Sequence, residues 1–476
     1  MNDLSIETKP HNKISFFSVL VVILLATSLV FLYNFYPLYV VMALAFLVIV
    51  FFAFHLESLF YLTLPFMFLQ GLEIDFSHFA WSRDNPYLSA LNAPLIDFLV
   101  ILLFLSFVVA LLLRLKKINI TKIQWLFPGF LFYFIFLCLA GVSTWLAYEH
   151  MIGYSLKYLL RPMFFVYIFY VSLSLFIIQT REIFEKVLRI LFFVGIAIAL
   201  FGLLAFVRSF GFGAWPMVTP FAFFGFAPLG DNHNMVAEVL VAFIPIGFYF
   251  YKKEKDLLTK KIVLAGSVFM VLIALLTLSR TGWLVLLLDL VLLFLMFRKQ
   301  SVEFVKKYLD KFVILAMIFL VAIASYMIIF LGSSIVNSSD QARWENFKIA
   351  AFYLQEKPLF GFGPNTYIPV FNDTVVYVSD FGESLDAHSI LLKIFFEEGI
   401  LGGLAMLLFL VCVIIKVWRA YQKTHEDYLL LAFLLVVSAI AFQLFSTSYF
   451  NANMWFPLAL GLSALQLSRY GEKYVE

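Results

Sequence analysis

LTLSRTGWLVLL, residues 276–287, decides how this chain is laid out. From Ile262 to Phe297 the only charged side chains are Arg280 and Asp289. As one straight helix that run would be about 54 Å long at about 1.5 Å per residue. The hydrocarbon core of a bilayer is only about 30 Å thick. Both flanks are basic: Lys252, Lys253, Lys255, Lys260 and Lys261 precede the run, and Arg298, Lys299, Lys306, Lys307 and Lys311 follow it. Basic loops stay on the cytoplasmic side. Two cytoplasmic flanks require an even number of crossings, so the run reads as a helical hairpin. Ser279-Arg280-Thr281-Gly282 is its tip, and the tip faces outward.

The composition agrees. The chain has 476 residues, 63% hydrophobic and 13% charged, with a mean hydropathy of +0.98. A soluble domain is about half apolar and about a quarter charged. The fold class is therefore an all-α polytopic membrane protein. A net charge of +3 gives no reason to expect a nucleic-acid partner. Cys138 and Cys412 both fall in apolar runs and read as small membrane-embedded side chains, not as a disulfide. Lys9 and Lys13 precede an apolar stretch with no clean small-x-small site after it, which reads as an uncleaved first helix.

Apolar runs near membrane length lie at 14–33, 37–55, 56–71, 94–113, 125–147, 158–179, 184–207, 235–251, 262–278, 282–297, 312–332, 388–416, 428–446 and 454–469. Some are short, so about 12–14 transmembrane helices are expected. With the N-terminus inside, nine of the 33 Lys and Arg fall outside: Arg83, Lys157, Arg161, Arg208, Arg280, Arg343, Lys348, Lys357 and Lys393. The expected layout is a cytoplasmic tail at 1–13, eleven spans within 14–332, a large outer loop at 333–387, three spans within 388–469 and a cytoplasmic tail at 470–476. Loops 72–93 and 208–234 are also outer. Within the largest, SSDQARWENFKIAAFYLQEKP (338–358) predicts a surface helix. Ser339 or Asp340 would cap it, Trp344, Phe347, Ala351 and Leu354 would form its apolar face, and Pro358 would stop it. PLFGFGPN (358–365) reads as a rigid turn.

Three outer basic residues mark span boundaries: Arg208, Arg280 and His388. Arginine offers a planar, permanently charged fork that matches phosphate oxygens. A histidine of near-neutral pKa takes a proton from a hydroxyl. Together they suit a phosphate-bearing donor and a hydroxyl acceptor. Each also has a plainer role open to it, since a boundary arginine snorkels to headgroups and a histidine packs. Asp289, an acid within a span, is a functional candidate or a partner for a neighbouring helix.

Several of these pieces resemble the bacterial O-antigen ligase and polymerase family of integral membrane glycan transferases. They are SRTG (279–282), the late outer loop with PLFGFGPN, and DAHSILLKIFFEEGILGG (386–403). NHN (232–234) is similar to the family's Asn-x-Asn element, with His233 where proline is more usual. The resemblance covers about 205–405; the first six spans match in hydropathy alone. It implies a metal-independent, inverting transferase with no cofactor. The donor would be a glycan on undecaprenyl diphosphate, and the acceptor a glycan or lipid A-core-like hydroxyl. The site would lie on the periplasmic side of the bacterial cytoplasmic membrane, among membrane lipid. Carried over, Arg208 and Arg280 grip the diphosphate and His388 is the general base. Asp386, Glu398, Asn232, Asn234, Gly361, Gly363 and Arg161 are supporting candidates.

Two rivals stand beside this reading. GLEIDFSHF (71–79) carries Glu73, Asp75 and His78, which would suit a metal-dependent polyprenyl-phosphate sugar transferase. Asp231/His233 and Asp386/His388 are two further acid-x-His pairs that would hold a metal. A lipid-linked oligosaccharide flippase would also have about a dozen helices, but transporters favour internal repeats and midplane polar sites. Here the polar residues gather at one face.

Overall fold

The computed structural model describes residues 37–69, 71–75, 92–115, 129–160, 167–209, 216–222, 227–230, 232–296, 325, 328–329, 334–372, 386–446 and 452–471. The first predicted span and most of the eleventh lie outside them. So do His78, Arg161 and Asp231.

In chain order the elements are α1 (Pro37–Phe54), α2 (Leu56–Phe66), β1 (Glu73–Asp75), β2 (Asn92–Pro94), α3 (Leu95–Leu112), α4 (Phe130–Leu146) and α5 (Ile152–Tyr158). After a π-helix at Tyr167–Ser172 come α6 (Leu173–Ile177), α7 (Arg181–Ser209), α8 (His233–Lys253), α9 (Leu257–Leu276) and α10 (Arg280–Met296). The last are α11 (Ser334–Leu354), α12 (Tyr367–Asn372), α13 (Ile390–Thr424), α14 (Asp427–Gln443) and α15 (Ala452–Gly471). Among the described residues the protein is helical, with one local exception to the all-α expectation: β1 pairs antiparallel with β2, Ile74 opposite Ala93.

Among the described residues five helices are long and apolar enough to cross a membrane: α3, α7, α8, α9 and α13. A sixth follows if Met42–Phe54 and Leu56–Phe66 form one broken span. α4 and α14 are shorter apolar helices. The predicted sixth span, 158–179, is not one α-helix. Ser174 Oγ turns back onto the Tyr170 carbonyl at 2.5 Å, a bond that competes with the regular helical ladder. The predicted third span, 56–71, ends early, at Phe66, one residue past Pro65.

The chain forms two compact units. In the smaller, 1–59 with 105–117, Phe51 packs against His55 with ring centroids 4.9 Å apart. The larger, 60–104 with 118–476, contains everything below. There α8 and α14 are buried along nearly their whole length and form the centre. α7, α9 and α10 keep one face outward, carrying Phe193, Leu200, Leu264, Leu284 and Leu287. Such a pattern, apolar inside and out, is what a bilayer solvent permits. Two pairs of polar side chains join helices within this interior. Gln443 Nε2 donates to Glu238 Oε1 at 2.6 Å. Ser438 Oγ donates to Asp289 Oδ1 at 2.7 Å, which ties Asp289 to the neighbouring α14.

α13 is a broken helix. Gly399 sits at φ 70° and ψ −172°, far from helical values. The break leaves backbone groups unpaired, and the 358–363 segment runs alongside and takes them up. Phe362 N–H donates to the Phe396 carbonyl (3.2 Å) and Gly363 N–H to the Glu397 carbonyl (2.7 Å). In return Ile400 N–H donates to the Pro358 carbonyl (2.9 Å) and Leu401 N–H to that of Leu359 (3.3 Å). Ser143 Oγ of α4 adds a second donor to the Glu397 carbonyl at 2.7 Å. A Cβ on Gly399 would lie 2.3 Å from the Leu359 carbonyl, and one on Gly361 2.5 Å from that of Glu397. Only glycine lets the two backbones touch. The predicted twelfth span began at His388; the piece of membrane length begins instead after Gly399. At about 1.5 Å per residue, 400–424 covers about 37 Å. The short 390–398 piece before it carries the site.

Candidate functional site

The hairpin read from LTLSRTGWLVLL is present, and its tip is tightly held. α9 ends at Leu276, and Thr277 Oγ1 donates to the Ala274 carbonyl at 2.6 Å. Leu278 takes a left-handed conformation, φ 56°, which a bulky residue adopts only when its surroundings enforce it. Ser279 Oγ accepts from Gly282 N–H (3.1 Å) and caps α10. The same hydroxyl donates to Asn234 Oδ1 at 2.6 Å. Asn232 in turn caps α8, its Oδ1 accepting from Asn234 N–H at 2.9 Å. Gly282 lets α10 start against Ala237 of α8. Asn232 and Asn234 thus anchor the tip, a supporting role built from hydrogen bonds within the protein.

Arg280, the first residue of α10, reaches out to α11. Its Nη1 lies 2.6 Å from Asp340 Oδ1 and 2.7 Å from Oδ2. Asp340 is therefore inside a helix that begins at Ser334, not a cap as the sequence predicted. On α11, Ala342, Asn346 and Ala350 are buried. Of the predicted apolar face, Phe347, Ala351 and Leu354 line a groove, while Trp344 is 57% exposed and stacks on Phe347. Arg343, one turn beyond Asp340, is half-buried, and its Nε has no hydrogen-bond partner among the described residues. Burial and the nearby Arg280 charge both weaken its hold on its proton, with Asp340 opposing; a guanidinium stays charged regardless.

His388 lies two residues before α13, close enough to Arg343, Asp386 and Arg280 to feel their charges. Burial lowers its pKa most, then Arg343; Asp386 raises it and Arg280 lowers it, leaving a value of about 4. The imidazole is neutral at neutral pH and free to accept a proton. Lys393, one turn into α13 and only 1% exposed, holds both Asp386 oxygens at 2.8 and 2.7 Å. Beneath them Glu397 Oε1 accepts from Tyr367 N–H at 3.2 Å, and Glu398 is fully buried. The site therefore has two guanidinium groups and one neutral imidazole, with Asp340 and Asp386 already engaged. Such an arrangement favours an added anion.

A groove of about 590 Å³ opens beside them between α11 and the start of α13. Its walls grade in the same chain direction: Arg343 and Asn346 then Ala350 and Leu354 on one side, His388 and Ser389 then Leu392 and Phe395 on the other. Leu444 and Phe445, after α14, close its apolar part.

The other sequence candidates fall elsewhere. Arg208 ends α7 exposed, with no ion pair or hydrogen bond to its side chain among the described residues. Gly361 and Gly363 spend their N–H groups on the Lys357 and Glu397 carbonyls, so they clasp the α13 break and do not face a glycan. Glu398 is neither cap nor orienting group; its carboxylate has no hydrogen-bond partner among the described residues. Glu73 and Asp75 lie in β1. Among the described residues no three His, Cys, Asp or Glu side chains converge. The sequence missed Arg343, Asn346 and Lys393 as site residues. Their signal was present as polar side chains three apart on one helix, and a lysine one turn after His388 in an apolar run, but neither spacing identifies a partner.

Residues 265–407 match the model of a protein family described as O-antigen ligase. That stretch holds the hairpin tip, α11, the 358–363 clasp, His388 and the break at Gly399. The resemblance read from the sequence is thereby shown for this region. Comparison with curated proteins finds no match. The family and the long apolar helices together indicate a multi-pass inner-membrane protein with a glycosyl-transferring activity.

Proposed function

We propose that the protein transfers a glycan from an undecaprenyl-diphosphate donor to an acceptor hydroxyl at the outer face of the cytoplasmic membrane. The observation that carries this reading is the meeting of Arg343 and His388 at the polar end of an otherwise apolar groove, with Arg280 near enough for its charge to reach His388. The guanidinium groups suit a diphosphate and the apolar walls suit a prenyl chain. Arg208, exposed at the end of α7, is a further diphosphate contact. Its place outside the cluster makes it the most separable of the three. The full layout, with about 12–14 spans and a large outer loop before the twelfth, belongs to the same reading.

In the reaction the acceptor oxygen attacks the anomeric carbon. His388 takes the hydroxyl proton, the bond from that carbon to the diphosphate oxygen breaks, and its electron pair leaves with the diphosphate. Attack from the face opposite the leaving group inverts the centre. Charge grows on the leaving oxygen, and preorganised guanidinium donors stabilise it there; removing one such donor typically costs about 10²–10³ in rate. The low pKa of His388 fits a base that is tuned on binding. A bound diphosphate offsets the two arginine charges and raises the imidazole's affinity for a proton where it is needed.

The test is reconstitution into vesicles with lipid-linked glycan and acceptor, followed by product analysis with and without EDTA. A new glycosidic bond formed in EDTA, and lost in His388→Ala and Arg280→Ala, is the expected result. Movement of intact donor across the bilayer with no new bond would sink the proposal in favour of a flippase. Activity abolished by EDTA would point to a metal-dependent transferase.

A further inference from the structure

Asn346 is unusual even within this cluster. It is 1% exposed, and neither its Nδ2 nor its Oδ1 has a hydrogen-bond partner among the described residues. A buried amide with both halves unmatched is costly, and native structures rarely retain one without a reason. It lines the groove with Arg343 and His388. Three residues along α11 from Arg343, its backbone is displaced by about 4.5 Å along the helix axis, on the same face.

We infer that Asn346 is a specificity-determining residue that hydrogen-bonds the sugar attached directly to the donor diphosphate. The inference rests on the function proposed above and adds to it what the site recognises. With the diphosphate on Arg343 and the acceptor beside His388, the anomeric carbon must lie between them. The first sugar ring then falls within the polar end of the groove. A primary amide donates twice and accepts at its oxygen. A sugar hydroxyl both donates and accepts, as does an acetamido group, so either satisfies the two unmatched ends at once. A site that leaves polar atoms unpaired unless the right group arrives discriminates strongly against ligands that lack it. Asn346 would thereby make the site prefer a sugar-bearing donor over the bare lipid diphosphate released by the reaction, which helps product leave.

The experiment compares two probes on the purified full-length protein in detergent. One is undecaprenyl diphosphate; the other is the lipid-linked glycan extracted from cells lacking this protein. The wild type should bind the glycan-bearing lipid about tenfold or more tightly than the bare diphosphate, the equivalent of one well-made hydrogen-bond pair. Asn346→Leu should lose that preference and keep its affinity for the bare lipid. Its thermal midpoint should be unchanged or higher, because no internal partner is lost. Asn346→Gln should recover part of the preference. If Asn346→Leu keeps the preference, or weakens both probes equally, the inference falls and the proposed function stands. If neither probe binds the wild type, both fall together.

Discussion

Arg343→Met separates the two tasks assigned to the arginine cluster, because it removes a charge without removing the side chain's bulk. His388 is held at about 4 from an ordinary value of 6.5, by burial first and by Arg343 second, with Asp386 opposing. Arg343 is thus the largest of the charges that hold the imidazole's proton affinity down, second only to burial. Removing the cation lets the imidazole protonate more readily. The acid limb of kcat/KM, which reports the free enzyme, should move upward from about pH 4. At neutral pH His388 stays neutral in both proteins, so loss there reports diphosphate binding. A hydrogen bond to a charged group contributes about 1.5–3 kcal/mol, which converts to about ten- to 150-fold in kcat/KM. The assay is transfer from extracted lipid-linked glycan in vesicles across this pH range, with Arg343→Lys as the charge-retaining control. An acid limb that stays put in Arg343→Met, or that moves equally in Arg343→Lys, refutes the electrostatic link between Arg343 and His388. The sign for stability follows from the same shift. Between pH 6.5 and about 4 the unfolded chain binds a proton that the folded site refuses. Folding stability from this group therefore falls as pH drops through that window, and His388→Gln should flatten the dependence of the thermal midpoint on pH.

Gly399→Ala should be the most damaging small substitution, since its Cβ would sit 2.3 Å from the Leu359 carbonyl at a φ of +70°. Backbone strain of about 1–3 kcal/mol in this essentially glycine-only conformation adds to four clasp hydrogen bonds of about 1 kcal/mol each; a thermal midpoint within a degree of wild type would contradict the clasp. Lys393→Met strips the partner from Asp386 inside a buried cluster and should cost about 3–5 kcal/mol. Adding Asp386→Asn should return part of that loss, and strict additivity of the two would show that they do not interact. Ser279→Ala loses both a helix cap and the bond to Asn234, for about 1–2 kcal/mol. Transfer should fall by more than the stability change explains, because Arg280 is left less well held; normal kcat with a lowered midpoint would make the tip purely structural.

The tip illustrates what could be read in advance. Charge sidedness and apolar run length are one-dimensional properties, so the hairpin at Arg280 and the helical membrane class followed from counting. His388 and Arg280 were legible because each breaks an apolar pattern at a boundary. Arg343 and Asn346 were not, because both sit in a mixed surface helix whose spacing does not say which neighbour it packs against. The groove against the start of α13 takes both of them in beside Phe347. Arg208 had the same sequence credentials as Arg280 but makes no ion pair or hydrogen bond through its side chain among the described residues.

By itself, then, the sequence determined a membrane-embedded helical chain, its hairpin, and two of the groups that gather at one site. Tertiary structure decided which groups meet. That choice hangs on the clasp between 358–363 and the break at Gly399, which lays α11 along the start of α13 and brings Arg343 to His388 across 45 residues of chain. Helical periodicity carries no information over such a separation. Backbone hydrogen bonds at a broken helix do, because unpaired groups there must find partners, and the 358–363 segment, with its glycines, comes close enough to supply them.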